Sequence, residues 1–458
     1  MQGTLVQLPP LLQLLRKMGI SKQIGWGNDE KLLYEIYNKF EYANELAYKW
    51  TQGNFHQQGT KLNYFNTRVE WDNTETDPAV DVSAEMLNYF RQIKMVALNA
   101  AGEEVHTFAT WNSPTVTGAT DGSLGQVTSK LPKLYVKIEY DVNGYITAYT
   151  LRSTPAIGFT LHECFWDYDL MDGTKGRDYI YVGSYEGYIS GGKLHSRSGV
   201  VSTGSQIMSA FRTAAQATFT DGNGHQLDFY TQELIQLLFY AYYGTRDSQT
   251  ALPGYTERAV YNGADFRKNG RTDILTTVNG YVNAQTGVGE LDADLAAGWQ
   301  ADGRGTAIAN RFLFIENIFG AKWKFLDGCS FDGRVGAKKT AWVHPDPRKF
   351  TSVDADVLTN YIDLNIDVLT AVTTSWIGGV GRGFIPLAAL GADSEKYYCD
   401  FFYSYLSDAA NRNYLRSVLA GGSMYDGTDA GLAARLSVNS LAISSASRGS
   451  LLMYKPNL

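Results

Sequence analysis

The stretch LYVKIEYDVNGYITAYTL, Leu134 to Leu151, leaves the chain few choices: two runs of period-two alternation meet at Asn143-Gly144. Asn and Gly tolerate the positive φ of a tight hairpin turn, so the pair predicts two adjacent antiparallel strands. The run RDYIYVGSYEGYI, Arg177 to Ile189, alternates in the same way between glycines. In RFLFIENIFGAKWKFLDGCSF the alternation puts Trp323 and Phe325 on one side and Lys322 and Lys324 on the other, with Asp327-Gly328 read as a turn. Within that segment Glu316 and Asn317 precede the Trp323 and Phe325 part, where a polar cluster can fix the loop.

Helical spacing appears between these strands, around Ser205 to Ala215 and from Tyr230 to Tyr243, where Leu234, Leu237, Leu238 and Tyr242 recur. No βαβ rhythm is present. The expectation is an α+β fold of mixed, mainly antiparallel strands with flanking helices and long ordered loops. The Gly-, Asn-, Asp- and Thr-rich run from Asp247 to Arg311 is too long for a simple connector and reads as ordered surface loops.

The N-terminal part differs. Asn28 can cap a helix that Asp29 and Glu30 favour at its positive end, and Leu33, Ile36, Phe40, Ala43, Ala47 and Trp50 make an apolar seam along it. A shorter helix is expected after Pro9-Pro10, ending at Gly19. Residues 1–75 therefore read as a helical attachment and oligomerisation region, 76–157 as a β-rich connection, and 158–458 as the main domain.

Composition narrows function mainly by exclusion. The net charge is -7, with no dense Lys/Arg cluster, which disfavours nucleic acid as a partner. The N-terminus lacks a basic region with a small-residue cleavage site, and no apolar run is long enough to span a membrane; the expectation is a soluble protein made in the cytoplasm without export or membrane insertion. Cys164, Cys329 and Cys399 are far apart and read as buried free thiols. The histidines show no HxxxH spacing, and GxSxG, HExxH and phosphate-loop motifs are absent, as are a regular calcium loop and a fixed-period β-helix repeat. Neither catalysis nor a metal or other cofactor is expected. The 30 tyrosines, set among Gly, Ser and Asn, suit an aromatic contact surface.

Several blocks occurring in one order carry a resemblance: GFTLHECFWDYD, YVGSYEGYISGGKLHSRSGV, FRTAAQA, LDFYTQELIQLLFYAYYGTRDSQT, IENIFGAKWKFLDG, EKYYCDFFYSY and VLAGGSMYDGTDAGLAARL. From about Ser83 to Tyr454 the chain resembles the C-type-lectin-like adhesin domain, a relative of the formylglycine-generating-enzyme fold. That domain is found in phage receptor-binding proteins and in targets of diversity-generating retroelements. Two departures stand out: Met424 follows the Gly-Gly-x segment where the family often has Trp, and the closing strand carries Gly449, Ser450 and Leu451 in place of Gly, a small residue and Arg.

The resemblance implies a phage virion adhesin, a tail or head fibre protein that binds a bacterial surface glycan or protein. It further implies attachment to other virion proteins through the N-terminal region and a homotrimer. It places the ligand-facing residues at Ser423, Tyr425, Asp426, Thr428 and Asp429, with Arg435, Ser437, Asn439 and Ser440 following. A capsid or fibre decoration protein without a specific receptor is the other reading. In the polar stretch from Gly421 to Lys455, Met424, Leu432, Leu436, Leu441 and Leu452 are the expected anchors of a loop-built surface.

Overall fold

A computed structural model describes residues 46–49, 60–62, 84–243, 247–252, 254, 268–283, 308–370, 375–389, 400–404, 406 and 413–458. Within them the architecture is α+β, with several largely antiparallel sheets and flanking helices. The hairpin at Asn143-Gly144 forms as expected: Tyr135–Tyr140 pairs with Ile146–Arg152. Asp141 organises the turn, its carboxylate accepting from the amides of Asn143 and Tyr145, and Gly144 takes φ +82°.

On one edge of this hairpin lies Leu46–Lys49, followed by Thr60–Leu62. The helix expected from Asn28 to Trp50 is therefore wrong over its last turn, where Leu46–Lys49 is a strand. An open hairpin edge offers backbone partners in register, and that tertiary pairing overrides a helical pattern. The rest of that helix, the shorter one before it and most of the seam lie outside the described residues, as do Cys399 and most of the loops between Asp247 and Arg311.

A six-stranded antiparallel sheet runs in the order Gly224–Gln226, Leu451–Tyr454, Tyr179–Glu186, Gln126–Pro132, Lys94–Leu98 and Glu104–Thr110. Three of these strands come from 76–157 and three from 158–458, so the expected boundary cuts through a continuous sheet. A helix at Ala84–Gln92, absent from the sequence-based expectation, buries Tyr89 and Phe90.

The nine-stranded sheet is built around Trp323–Asp332, paired with Ala341–Val343 on one side and Leu415–Ala420 on the other. Beyond Leu415–Ala420 come Arg435–Ser437, Phe401–Ser404, Ser375–Val380 and Pro386–Ala389. Asp327-Gly328 is not a hairpin turn. The strand runs straight through it, and the register against Leu415–Ala420 shifts between Phe325 and Ser330, a bulge. Gly328 has φ +69°, and a Cβ there would sit 2.4 Å from the Phe350 ring. Asp327 is buried and accepts from Arg212 at 2.7 and 2.6 Å and from Gln226 Nε2 at 2.7 Å. The alternation holds, but both faces are covered: Trp323 and Phe325 enter one apolar cluster, while Lys322 and Lys324 are buried beside Glu186, 3.3 Å from the Lys324 ammonium.

Of the expected helices, the first is found at Met208–Gln216 and the second at Phe229–Tyr243. Residues 229–242 of the second are all buried, the state expected of a helix enclosed by core on every side. At its N-terminus Asp228 accepts from Thr231 N at 2.7 Å and pairs with Lys455, and both charged side chains are essentially without solvent contact. Cys164 and Cys329 are buried free thiols, and burial pushes both upward from the usual thiol range.

Replacing Asp228 by Asn removes the counter-charge of a fully buried ammonium. Chemical denaturation should show a loss of about 3–5 kcal/mol for D228N, with the double variant D228N/K455M recovering much of it. Equal stability of D228N and the parent would contradict the pairing.

Candidate functional site

The segment between Leu415–Ala420 and Arg435–Ser437 begins with two glycines in left-handed conformations, Gly421 and Gly422. A Cβ at Gly422 would lie 2.5 Å from Ala430, so the loop closes on itself only with glycine there. Met424 turns inward and is 1% exposed, so it anchors the loop to the core. Leu432, Leu436, Leu441 and Leu452 are buried too, as expected for the anchors of a loop-built surface.

Hydrogen bonds from deep in the protein hold the far side of the loop. Asp400 accepts from Ala433 N at 2.6 Å, Ser248 Oγ from Leu432 N at 2.9 Å, and Gln236 of the buried helix donates to Leu432 O at 3.1 Å. Asp400 comes so close to Gly431 that a Cβ there would overlap its carboxylate. Arg435 is 1% exposed; its guanidinium donates to Gln236 Oε1 at 2.7 Å and to the carbonyls of Leu432, Ala434 and Gly383. Burial pushes it down to about 10.

The nine residues expected to face a ligand thus separate. Arg435 and Ser437 are corrected: both are buried, and Arg435 ties the loop to the core helix. Ser423 is buried as well, and its hydroxyl and amide both donate to Asp426 at 2.6 Å, locking the Ser423–Asp426 turn. Tyr425, Asp426, Asp429, Asn439 and Ser440 are half-buried. Thr428 lies in the short 3₁₀ turn Gly427–Asp429, and its side chain is outside those described.

Three of these residues, Asp426, Asp429 and Asn439, line a pocket of about 370 Å³. Its wall is aromatic, with Trp323 from the central strand and Phe401 and Tyr403 from Phe401–Ser404, which lies beyond Leu415–Ala420 and Arg435–Ser437 in the same sheet. Leu436 and Val438 complete the apolar part, and Arg448 contributes a guanidinium. Asp426 is further held by the Trp323 side chain. Periodicity assigns Trp323 to the core and does not by itself single out Phe401 and Tyr403. A signal for the latter pair exists: in FFYS, Phe401 and Tyr403 alternate with the buried Phe402 and Ser404 and so share the opposite face.

The carboxylates are unusual. Burial, then the nearby Asp426 carboxylate, push Asp429 up to about 6, and burial raises Asp426 as well, against the hydrogen bonds from Ser423. Two acids and a guanidinium on an aromatic wall can bind a polar ring by stacking its apolar face and satisfying its hydroxyls.

A second polar cluster lies inside the protein. His162, Glu163 and Glu233 bring ligand-type atoms within 4.8 Å of one another. Arg382 sits between the two carboxylates, contacting Glu163 and, at 3.0 Å, Glu233. Gly383 N donates to Glu233 at 2.8 Å, and His162 Nε2 lies 3.5 Å from it. Burial alone would raise Glu233, but Arg382 and His162 hold it down at about 2. A guanidinium already occupies the place between the carboxylates that a cation would take, so the cluster is an internal ion-pair network rather than an open metal centre.

No protein-family model matches the chain, and no curated protein does.

A carboxyl-observed NMR titration should put the Asp429 midpoint near pH 6. In Asp426→Asn it should move down only part of the way, because burial, the larger cause, remains. A midpoint near the ordinary value in the parent would show that neither burial nor Asp426 raises Asp429.

Proposed function

We propose that the chain is a phage virion adhesin whose C-terminal, lectin-like part binds a bacterial surface glycan, while residues 1–75 attach it to other tail or head proteins as a homotrimer. The observation that carries this reading is the pocket itself. It lies where the resemblance placed a ligand-facing surface, and it combines Trp323, Phe401 and Tyr403 with the acceptors Asp426, Asp429 and Asn439. Aromatic faces that stack sugar rings, beside a few fixed polar groups, are what a carbohydrate site requires.

The rigid support of the loop favours the same reading. Met424, Asp400, Ser248 and Gln236 hold it before any ligand arrives, so binding spends little free energy on ordering the site. A single pocket of this size makes a weak contact, and several copies on one particle would supply avidity. The reading calls for no chemistry: Asp426 is engaged by Ser423 and serves to shape the turn. No described helix is long and apolar enough to cross a membrane, and an adhesin of this kind does not need one.

The test is adsorption of particles carrying Tyr403→Ala together with Asp429→Asn. Adsorption to host cells should fall by about tenfold or more while assembly and thermal melting stay unchanged. Unchanged adsorption by correctly assembled particles would favour the decoration role over receptor binding.

A further inference from the structure

The pocket is not electrically neutral in character. Asp426 and Asp429 lie close enough for the first to raise the second, both partly withdrawn from water, and the titratable side chains facing them across the pocket are Tyr403 and Arg448. Asp426 has its carboxylate committed to Ser423, so Asp429 is the acid left to meet a ligand. It stands on a 3₁₀ turn beside an aromatic wall. An aromatic wall attracts a cation through the ring quadrupole, and a half-buried carboxylate pair gains most from a positive partner that relieves their mutual repulsion.

We infer that the pocket takes a sugar residue bearing a free, protonated amine, with Asp429 as its counter-charge and Trp323, Phe401 and Tyr403 against its apolar face. Arg448 then meets ring or hydroxyl oxygens at the other side. The inference rests on the glycan-binding reading and specifies its ligand. A plain neutral sugar offers Asp429 hydroxyl hydrogen bonds without a counter-charge, and an N-acetylated one presents a neutral amide in place of the ammonium. Because Asp429 gains a proton near pH 6, the preference for an amine is a property of the ionised site and weakens in acid.

The experiment uses the full chain and three monosaccharide probes, methyl glucosaminide, methyl N-acetylglucosaminide and methyl glucoside, followed by ligand-observed NMR. At about pH 7 the glucosaminide should bind about tenfold more tightly than either neutral glycoside, and at about pH 5 that advantage should shrink to about twofold or less. Asp429→Asn, checked for an unchanged melting temperature, should abolish the preference at about pH 7, while Asp429→Glu should restore part of it. Equal binding of all three glycosides, indifferent to Asp429→Asn, overturns the inference and leaves the glycan-adhesin reading standing. Binding to none of them also overturns it, and the adsorption experiment on Tyr403 and Asp429 then judges the adhesin reading independently. An amine preference that survives Asp429→Asn assigns the charge to another group and likewise refutes Asp429 as the counter-charge.

Discussion

Four distant parts of the described structure are positioned by the burial of one helix. Phe229–Tyr243 has no solvent face, yet it carries Glu233 and Gln236 and is capped by Asp228. A buried polar group without a partner costs far more than the hydrogen bond it would make, so each must be met by something brought in from a distance. Asp228 takes Lys455, Glu233 takes Arg382 and the Gly383 amide, Gln236 takes Arg435, and the Leu237 carbonyl takes the Tyr149 hydroxyl. These partners lie in four separate parts of the chain. The helix thus specifies where the hairpin, the segment around Arg382, the C-terminal loop and the last strand must go.

This arrangement links the core to the pocket through covalent neighbours rather than through a long path. Arg435 is fixed by Gln236, and Leu436 and Val438, which follow it closely, line the pocket. On the other side, Trp323 is both a core residue and a pocket wall, with Asp426 hydrogen-bonded to it. Such a site gains precision because much of its wall is strand, with the Ser423–Asp429 turn and Val438 and Asn439 just past Arg435–Ser437 as its loop parts.

The sequence is most informative where local periodicity and tertiary packing agree. Alternation around Asn143-Gly144 and helical spacing from Tyr230 to Tyr243 each describe an element whose hydrogen bonds are local, and alternation marks Tyr179–Glu186 as a strand although both its faces are buried. Legibility fails where a residue's role is set from afar. Asp327-Gly328 has the composition of a turn, but Arg212 and Phe350, distant in sequence, make it a bulge. Leu46–Lys49 has helical spacing and becomes a strand because a hairpin edge is open to it. Arg435 reads as a surface cation in a polar run, and only its contact with Gln236 shows that it faces the core. The pocket is half visible: its acids sit in the stretch singled out for ligand contact, whereas Phe401 and Tyr403 can be assigned to the outer face only by following the alternation of their strand.

Leu451–Tyr454 lies within the six-stranded sheet, between Gly224–Gln226 and Tyr179–Glu186, and Lys455 next to it neutralises Asp228. Those neighbours are more than two hundred residues earlier in the chain. During synthesis, then, the ribosome releases the two flanking strands long before the one that joins them, and until residue 455 emerges both keep bare edges while the helix keeps an uncompensated acid. Completion of this sheet waits for residue 455 and is slow by its contact order, and nascent chains are most open to mispairing and to chaperone capture during that interval.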